Sequence, residues 1–217
     1  MNSYDLIART YDAQIDAYVH GIYLDLINRY HRAGTFLEIG CGSGLIVKRT
    51  YQYFTASTAL DTSEAMLEIA RKRLKNTDVT LLNHSMHQGL NTTFDTIVAA
   101  FDVFNHVDDF NQFESVFTLW MDHLSDSGVM IFDLLKCSYL KRIDGYQETM
   151  TLDGEPLVWR SKLIAPCQIE HQFYARPQKA AHRETAFSDK DVLPLFKRHT
   201  ILDTIDFEER TIYVVKK

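Results

Sequence analysis

The sequence predicts an α/β fold built on a doubly wound, mainly parallel sheet, and three observations predict it. First, the run Thr35-Phe36-Leu37 ends in Glu38, passes glycines at alternate positions (Gly40, Gly42 and Gly44), and enters a helical pattern. Strand, glycine turn and helix open a nucleotide-binding α/β unit, because glycine lets the backbone turn sharply and a ligand come close. Second, apolar runs at 57–61, 79–82, 94–100 and 129–133 follow, most of them separated by helical periodicity. Third, Phe94 to Ala100 is almost uninterrupted in its apolar character, as a parallel strand covered on both faces requires. Five strands alternating with helices imply a Rossmann-like, doubly wound sheet.

The remaining elements fit around that frame. Residues 1–32 read as a helical cap, with Tyr4, Ile7, Tyr11, Ile15 and Tyr18 at three- and four-residue steps and Gly21 as a break between two helices. The tyrosine stripe reads as core packing or as a helix laid over a ligand site. Leu45 to Tyr53 continues the first unit as helix. After the second strand, Asp61, Thr62 and Ser63 are good N-caps for a helix with Met66, Leu67 and Ala70 on its apolar face. Phe104 to Leu124 is helical with a break near Asp108-Asp109, and Ser125 to Gly128 reads as a turn. Residues 146–187 lack a helical period and read as two or three antiparallel strands, a small insertion after the fifth strand serving as substrate flap or dimer contact. Ser188 then caps a helix through Phe196, and two strands around 200–207 and 211–215 form a C-terminal antiparallel hairpin. The whole chain, 1–217, reads as one domain.

Composition excludes several classes. The net charge is −6 and the longest basic run is Arg71-Lys72-Arg73, which disfavours a nucleic-acid partner. No run of about 18 apolar residues and no apolar signal core occurs, so no membrane partner and a cytoplasmic location are expected. Cys41, Cys137 and Cys167 are far apart and odd in number, so neither a disulfide framework nor a Cys-x-x-Cys clip can be read.

The glycine turn decides between ligands. A P-loop needs Gly-Lys-Ser/Thr, but Leu45 and Ile46 follow the last glycine. A dinucleotide fingerprint counted from Gly40 fits at Gly42 but finds Leu45 at its third glycine. Glu38 would also repel a pyrophosphate at the helix start and favours a ligand with a cationic amine and no phosphate. S-adenosylmethionine is such a ligand. Asp61, at the end of the next strand, can accept from both ribose hydroxyls, since a carboxylate accepts two bonds side by side. Met66 packs on the adenine or in the core, Ser85 and Met86 follow the third strand at the adenine edge, and Ala100 and Phe101 follow the fourth, where a carbonyl meets the ligand's amine. All lie at carboxyl ends of successive strands, where open α/β sheets bind ligands.

With these residues assembled, the chain resembles the class I S-adenosylmethionine-dependent methyltransferases over nearly its whole length. Glu38-x-Gly40-x-Gly42-x-Gly44 is similar to the family's first motif and Leu60-Asp61-x-Ser63-x-x-Met66-Leu67 to its second. Phe94-Asp95-x-Ile97 through Val107 and Leu124-Ser125-x-x-Gly128 through Asp133 resemble its fourth- and fifth-strand regions. The opening Tyr4-Asp5-x-Ile7-Ala8-x-x-Tyr11-Asp12 is similar to a subgroup acting on small molecules, including sugar-amine and glycine N-methyltransferases, which also carry antiparallel strands after the fifth strand. The resemblance implies methyl transfer to nitrogen or oxygen of a small-molecule acceptor, leaving S-adenosylhomocysteine. The cofactor site would comprise Tyr11, Glu38, Gly40, Cys41, Gly42, Gly44, Asp61, Thr62, Met66, Ser85, Met86, Ala100 and Phe101. Where many members carry an acid near the adenine, this chain has Ser85 between His84 and His87.

A sulfonium methyl is already activated, so transfer needs mainly positioning, worth about 7–11 kcal/mol. A base is required only if the acceptor arrives protonated. Tyr11, Asp102, Asn105 and His106 are near the rim; Tyr11 and His106 are the catalytic candidates, for positioning or as base. His106 also reads as a histidine bonded to nearby backbone, because Asp108-Asp109 make that region a turn or cap. His84 and His87 are three apart, and His106 has Asp108 and Asp109 beside it, but no third ligand stands at a recognisable spacing, so no metal is expected. His171 and His182 face either substrate or solvent, and the aromatic antiparallel segment is able to pair across a two-fold axis in a homodimer. A cofactor-binding regulatory or scaffold protein without transferase activity is the alternative function.

Overall fold

The structure, a computed structural model, describes residues 3–152 and 154–217. Its centre is a seven-stranded sheet. The five runs read from the sequence form β1 (Thr35–Ile39), β2 (Ala56–Asp61), β3 (Thr80–Asn83), β4 (Phe94–Ala99) and β5 (Leu124–Leu135), all mutually parallel. The C-terminal hairpin joins beyond β5 as β10 (Thr200–Asp206) and β11 (Arg210–Lys216), giving the order β10-β11-β5-β4-β1-β2-β3 with β11 antiparallel to β5.

Period-two alternation sends successive side chains of each strand to opposite layers. Phe36, Val98 and Ile131 pack with Tyr23, Leu26 and Ile27 of α2 (Ala17–Tyr30). Leu37, Ile97 and Met130 pack with Phe113, Phe117 and Trp120 of α5 (Phe110–Asp122). Two cores, one per face, are what uninterrupted apolar strands require. α3 (Leu45–Thr50) and α4 (Glu64–Arg73) complete the winding, α4 capped by Ser63, whose Oγ accepts the Met66 N–H at 3.2 Å.

Several sequence expectations shift. The N-terminal break falls between α1 (Ser3–Tyr11) and α2, where Asp16 accepts the Tyr18 and Val19 N–H groups; Gly21 lies inside α2. A side-chain oxygen that satisfies two orphan donors outweighs one glycine's propensity cost. Residues 125–128 sit within β5, where the register against β4 slips, so the expected turn is a bulge in a longer strand. The expected helix after Ser188 is one turn, α7 (Asp189–Val192), continued as a 3₁₀ segment to Arg198. Ser188 holds the N-cap position as expected, but its Oγ donates to Asp191 instead of accepting a backbone N–H.

The insertion holds four strands rather than two or three: β6 (Gln147–Leu152), β7 (Glu155–Ala165), β8 (Gln168–Ala175) and β9 (Gln178–Thr185), a separate antiparallel meander. β6 and β9 are largely polar and give no apolar alternation to read. α1 packs Leu6 and Ile7 on Leu157 and Phe173 of this sheet and also contacts α4, so it lies between the two sheets. Cys137, at the start of α6 (Cys137–Arg142), is disulfide-bonded to Cys167 in the β7–β8 turn, contrary to the sequence reading. The packing of α6 on β8 brings the pair together, which spacing alone cannot show.

Candidate active site

The carboxyl ends of β1, β2 and β4 open on a cavity of about 330 Å³. Its floor is the glycine turn. Gly40 and Gly42 adopt φ of +66° and +52°, the left-handed region that glycine enters without penalty. A Cβ on Gly40 would lie 2.4 Å from Val103, so the turn also admits no side chain there. At Gly42 a Cβ would meet only the Tyr11 ring, at 3.7 Å, leaving the backbone bare to the cavity.

Two carboxyls shape this floor. Glu38 is buried, with Oε2 accepting the Val47 N–H at 2.9 Å; burial pushes its carboxyl up to about 8, and nearby Asp61 adds to the rise. Asp61 Oδ2 accepts the Gly42 N–H and Oδ1 the Ser63 N–H, both at 2.8 Å. Each oxygen therefore ties a loop, and the Thr62 backbone also bonds this carboxylate, so the ribose bonds expected of Asp61 draw on its remaining acceptor capacity. Burial raises its pKa, against those backbone donors.

Of the cofactor residues read from the sequence, Tyr11, Glu38, Gly40, Cys41, Gly42, Asp61, Thr62, Met66, Ser85, Met86, Ala100 and Phe101 line this cavity. Gly44 does not. It has φ of +79° and packs against Ala70 and Leu74, so its freedom serves the approach of α3 to α4. Tyr4, His106 and His182 also line the cavity. The tyrosine stripe of α1 thus faces a ligand chamber, and its aspartates are clips: Asp5 Oδ1 accepts from Ser63 Oγ at 2.7 Å, and Asp12 accepts from Ser43 Oγ and from Arg73.

A second cavity, about 390 Å³, shares Tyr4, Tyr11, Phe101 and His182 with the first and is lined further by Asp102, Trp159, His171, Phe173, Glu184 and Arg210. Phe101 and Asp102 both have left-handed φ, 62° and 58°, a conformation costing a non-glycine residue on the order of 1–3 kcal/mol. Asp133 holds it: both its oxygens accept the Asp102 N–H at 3.1 Å, and Oδ2 accepts Arg210 Nη1 at 2.7 Å. Arg210 Nη1 reaches Asp102 Oδ1 at 2.9 Å, yet burial still pushes that carboxyl up to about 6.

The β8–β9 wall carries what the sequence left undecided. His171 and Glu184 are buried and His182 nearly so. Trp159 Nε1 donates to His171 Nδ1 at 3.0 Å; indole only donates, so neutral His171 carries its proton on Nε2, 3.2 Å from Glu184 Oε2. Burial alone would raise the Glu184 pKa, but its bonds to His171 and His182 hold it well below the usual range. His182, 3.4 Å from Glu184 Oε1, is pushed down to about 4 by burial. Its ring stacks on Tyr4 at 5.0 Å.

His106 is not bonded through its ring to nearby backbone: Nε2 lies 2.9 Å from the Tyr4 hydroxyl, 102 residues away in sequence. Asn105 is fully buried and ties β5 to β9, accepting the Leu135 N–H and donating to Thr185 O. Burial, with Asp102 nearby, drives the Tyr11 phenol far above its ordinary value, so it stays protonated. Glu184 and His182 were missed or left open because they sit in a polar strand; their two-residue spacing is the one signal that places them on the same face.

Comparison with known proteins bears on the family and the fold. Residues 36–128 match a family model described as a methyltransferase domain. A protein of Geobacillus sp. (strain WCH70), provisionally named a methyltransferase, is 25% identical over 162 residues, 69% of this chain and 64% of its own length, so the match spans less than two thirds of that relative. Among solved structures, an S-adenosylmethionine-dependent methyltransferase from Clostridium acetobutylicum superposes with TM-score 0.82 at 22% identity, covering 99% of each chain. An amino pentose methyltransferase from Micromonospora echinaspora superposes with TM-score 0.70 at 20% identity, covering 97% of this chain and 96% of that one. Residues 36–128 thus match the methyltransferase-domain family model, and the chain has the fold of the class I S-adenosylmethionine-dependent methyltransferases.

Proposed function

We propose that the chain transfers the methyl group of S-adenosylmethionine to nitrogen or oxygen of a small molecule. The observation that carries this reading is the pair of adjoining cavities: one built on Gly42 and Asp61, the other walled by ionisable and aromatic side chains, with Tyr4, Tyr11, Phe101 and His182 common to both. Asp61 would take the ribose, Met66, Ser85 and Met86 the adenine, and the bare backbone at Gly42 the methionine end. That arrangement directs the sulfonium methyl toward the shared residues. The acceptor enters the second cavity, so the four-stranded sheet serves as its roof. In-line displacement forms the bond from acceptor to methyl, breaks the S–CH₃ bond and returns its electron pair to sulfur. Tyr11 would orient the acceptor by donation, and His106 or Asp102 would receive its proton where one must leave. The solved amino pentose methyltransferase supports an amine acceptor as one member of this class. The proposed setting is the cytoplasm; no helix among the described residues is long and apolar enough to cross a membrane.

Calorimetric titration with S-adenosylmethionine tests the site. One ligand per chain is expected, with affinity at least about 100-fold weaker in Asp61→Ala, where a charge-assisted pair of bonds is lost, and in Gly42→Val. Wild-type affinity in both variants would refute the assignment. Tight cofactor binding without turnover of any small-molecule pool would instead favour a binding protein.

A further inference from the structure

We propose that His106, His182 and Glu184 bind a single divalent transition-metal ion, which holds an oxygen-bearing methyl acceptor in the second cavity. The acceptor's location rests on the function proposed above; the ion's binding does not.

One ligand atom from each of the three residues lies within 4.8 Å of the other two. His182 Nε2 and Glu184 Oε1 are 3.4 Å apart, about the separation of two donors bonded at roughly 2.1 Å to a tetrahedral ion. The residues come from different elements: His106 follows β4, whereas His182 and Glu184 project from the same face of β9. Metal ligands are oriented by outer partners, and each of these has one. Ser3 Oγ is 2.7 Å from His182 Nδ1, the Tyr4 hydroxyl anchors His106, and His171, its tautomer set by Trp159, occupies Glu184 Oε2. Glu184 Oε1 is thereby left to face His182.

Two imidazoles and one carboxylate with open positions suit Zn²⁺, Fe²⁺, Mn²⁺ or Co²⁺ better than the harder Mg²⁺ or Ca²⁺. Both histidines line the cofactor cavity, and His182 and Glu184 line the acceptor cavity, so the open positions face the two reactants. With His106 on the ion, the base role falls to Asp102, which lines the same cavity and would receive the proton that a bound acceptor hydroxyl loses on coordination. Its oxygen then attacks the methyl carbon, the S–CH₃ bond breaks, and sulfur keeps the electron pair as a neutral thioether. The ligand class selected is a hydroxyl beside a second oxygen donor. The competing state is a closed hydrogen-bond network with no ion.

Untagged, metal-free protein titrated with Zn²⁺ by calorimetry and with Co²⁺ by visible absorption separates the two. One ion per chain is expected, with the intense visible bands of a low-symmetry site. Binding should weaken at least tenfold in His182→Ala, Glu184→Gln and His106→Gln, and about 10- to 100-fold in the outer variant His171→Gln. The half-buried, loop-borne His106 supplies the variant that spares the fold, checked by circular dichroism. Wild-type protein that takes up no stoichiometric ion, or folded His106→Gln that binds like wild type, overturns the proposal. S-adenosylmethionine titrations of the same samples show separately whether the cofactor site stands.

Discussion

Glu38 shows how burial can reverse a charge argument. From the sequence it is a carboxylate that rejects phosphate; in the fold its carboxyl is pushed up to about 8, so the unliganded protein holds it neutral at pH 7. The native state then binds a proton that the unfolded chain, with an ordinary carboxyl near 4.5, releases. The resulting stabilisation is full below about pH 4.5 and is lost as pH rises through about 8. Denaturant melts across that window should show Glu38→Gln lacking this part of the decline. A cationic ligand would draw the proton off, so cofactor binding at pH 7 should release protons, measured as a dependence of calorimetric heat on buffer ionisation enthalpy. At this scale the sequence was most legible where spacing is local, as between Gly40, Gly42 and Asp61. Gly44 misled because three glycines in one pattern do two jobs. The His182–Glu184 pair lay hidden because contact with His106 spans the fold.

Among elements, the four-stranded sheet β6–β9, the proposed acceptor roof, was hardest to read and is tied to α6 by Cys137–Cys167. The bond closes a loop of sequence separation 30, for which chain entropy allows a stabilisation of about 3.5 kcal/mol. In a reducing cytoplasm both residues would be thiols for most of the time. Reduction, or Cys137→Ser, is expected to lower the thermal midpoint by several degrees while leaving cofactor affinity within about twofold, since neither cysteine lines that cavity. A midpoint unmoved by reductant would show that the packing of Leu140, Ile169 and Ala186 holds the roof alone. The parallel strands were legible because burial on both faces leaves an apolar run; β6 and β9 were not, because both are mostly polar and largely exposed.

Over the whole molecule, the doubly wound sheet and terminal hairpin followed from alternation and turns, whereas the relation of the two sheets depends on α1, whose Tyr4 and Tyr11 belong to both cavities. That helix is fastened on the cofactor side, Asp5 to Ser63 and Asp12, just past its end, to Ser43 and Arg73, and on the other by Ser3 to His182 and by apolar packing. A helix fastened to both chambers has a kinetic consequence. The nucleotide, seated under the clips, settles the wall against which the second substrate must rest, so addition should be ordered, donor first and its demethylated product last to leave. Product inhibition would read it: S-adenosylhomocysteine competitive against the donor and noncompetitive against the acceptor, with random-order patterns arguing that the helix divides the chambers without coupling them.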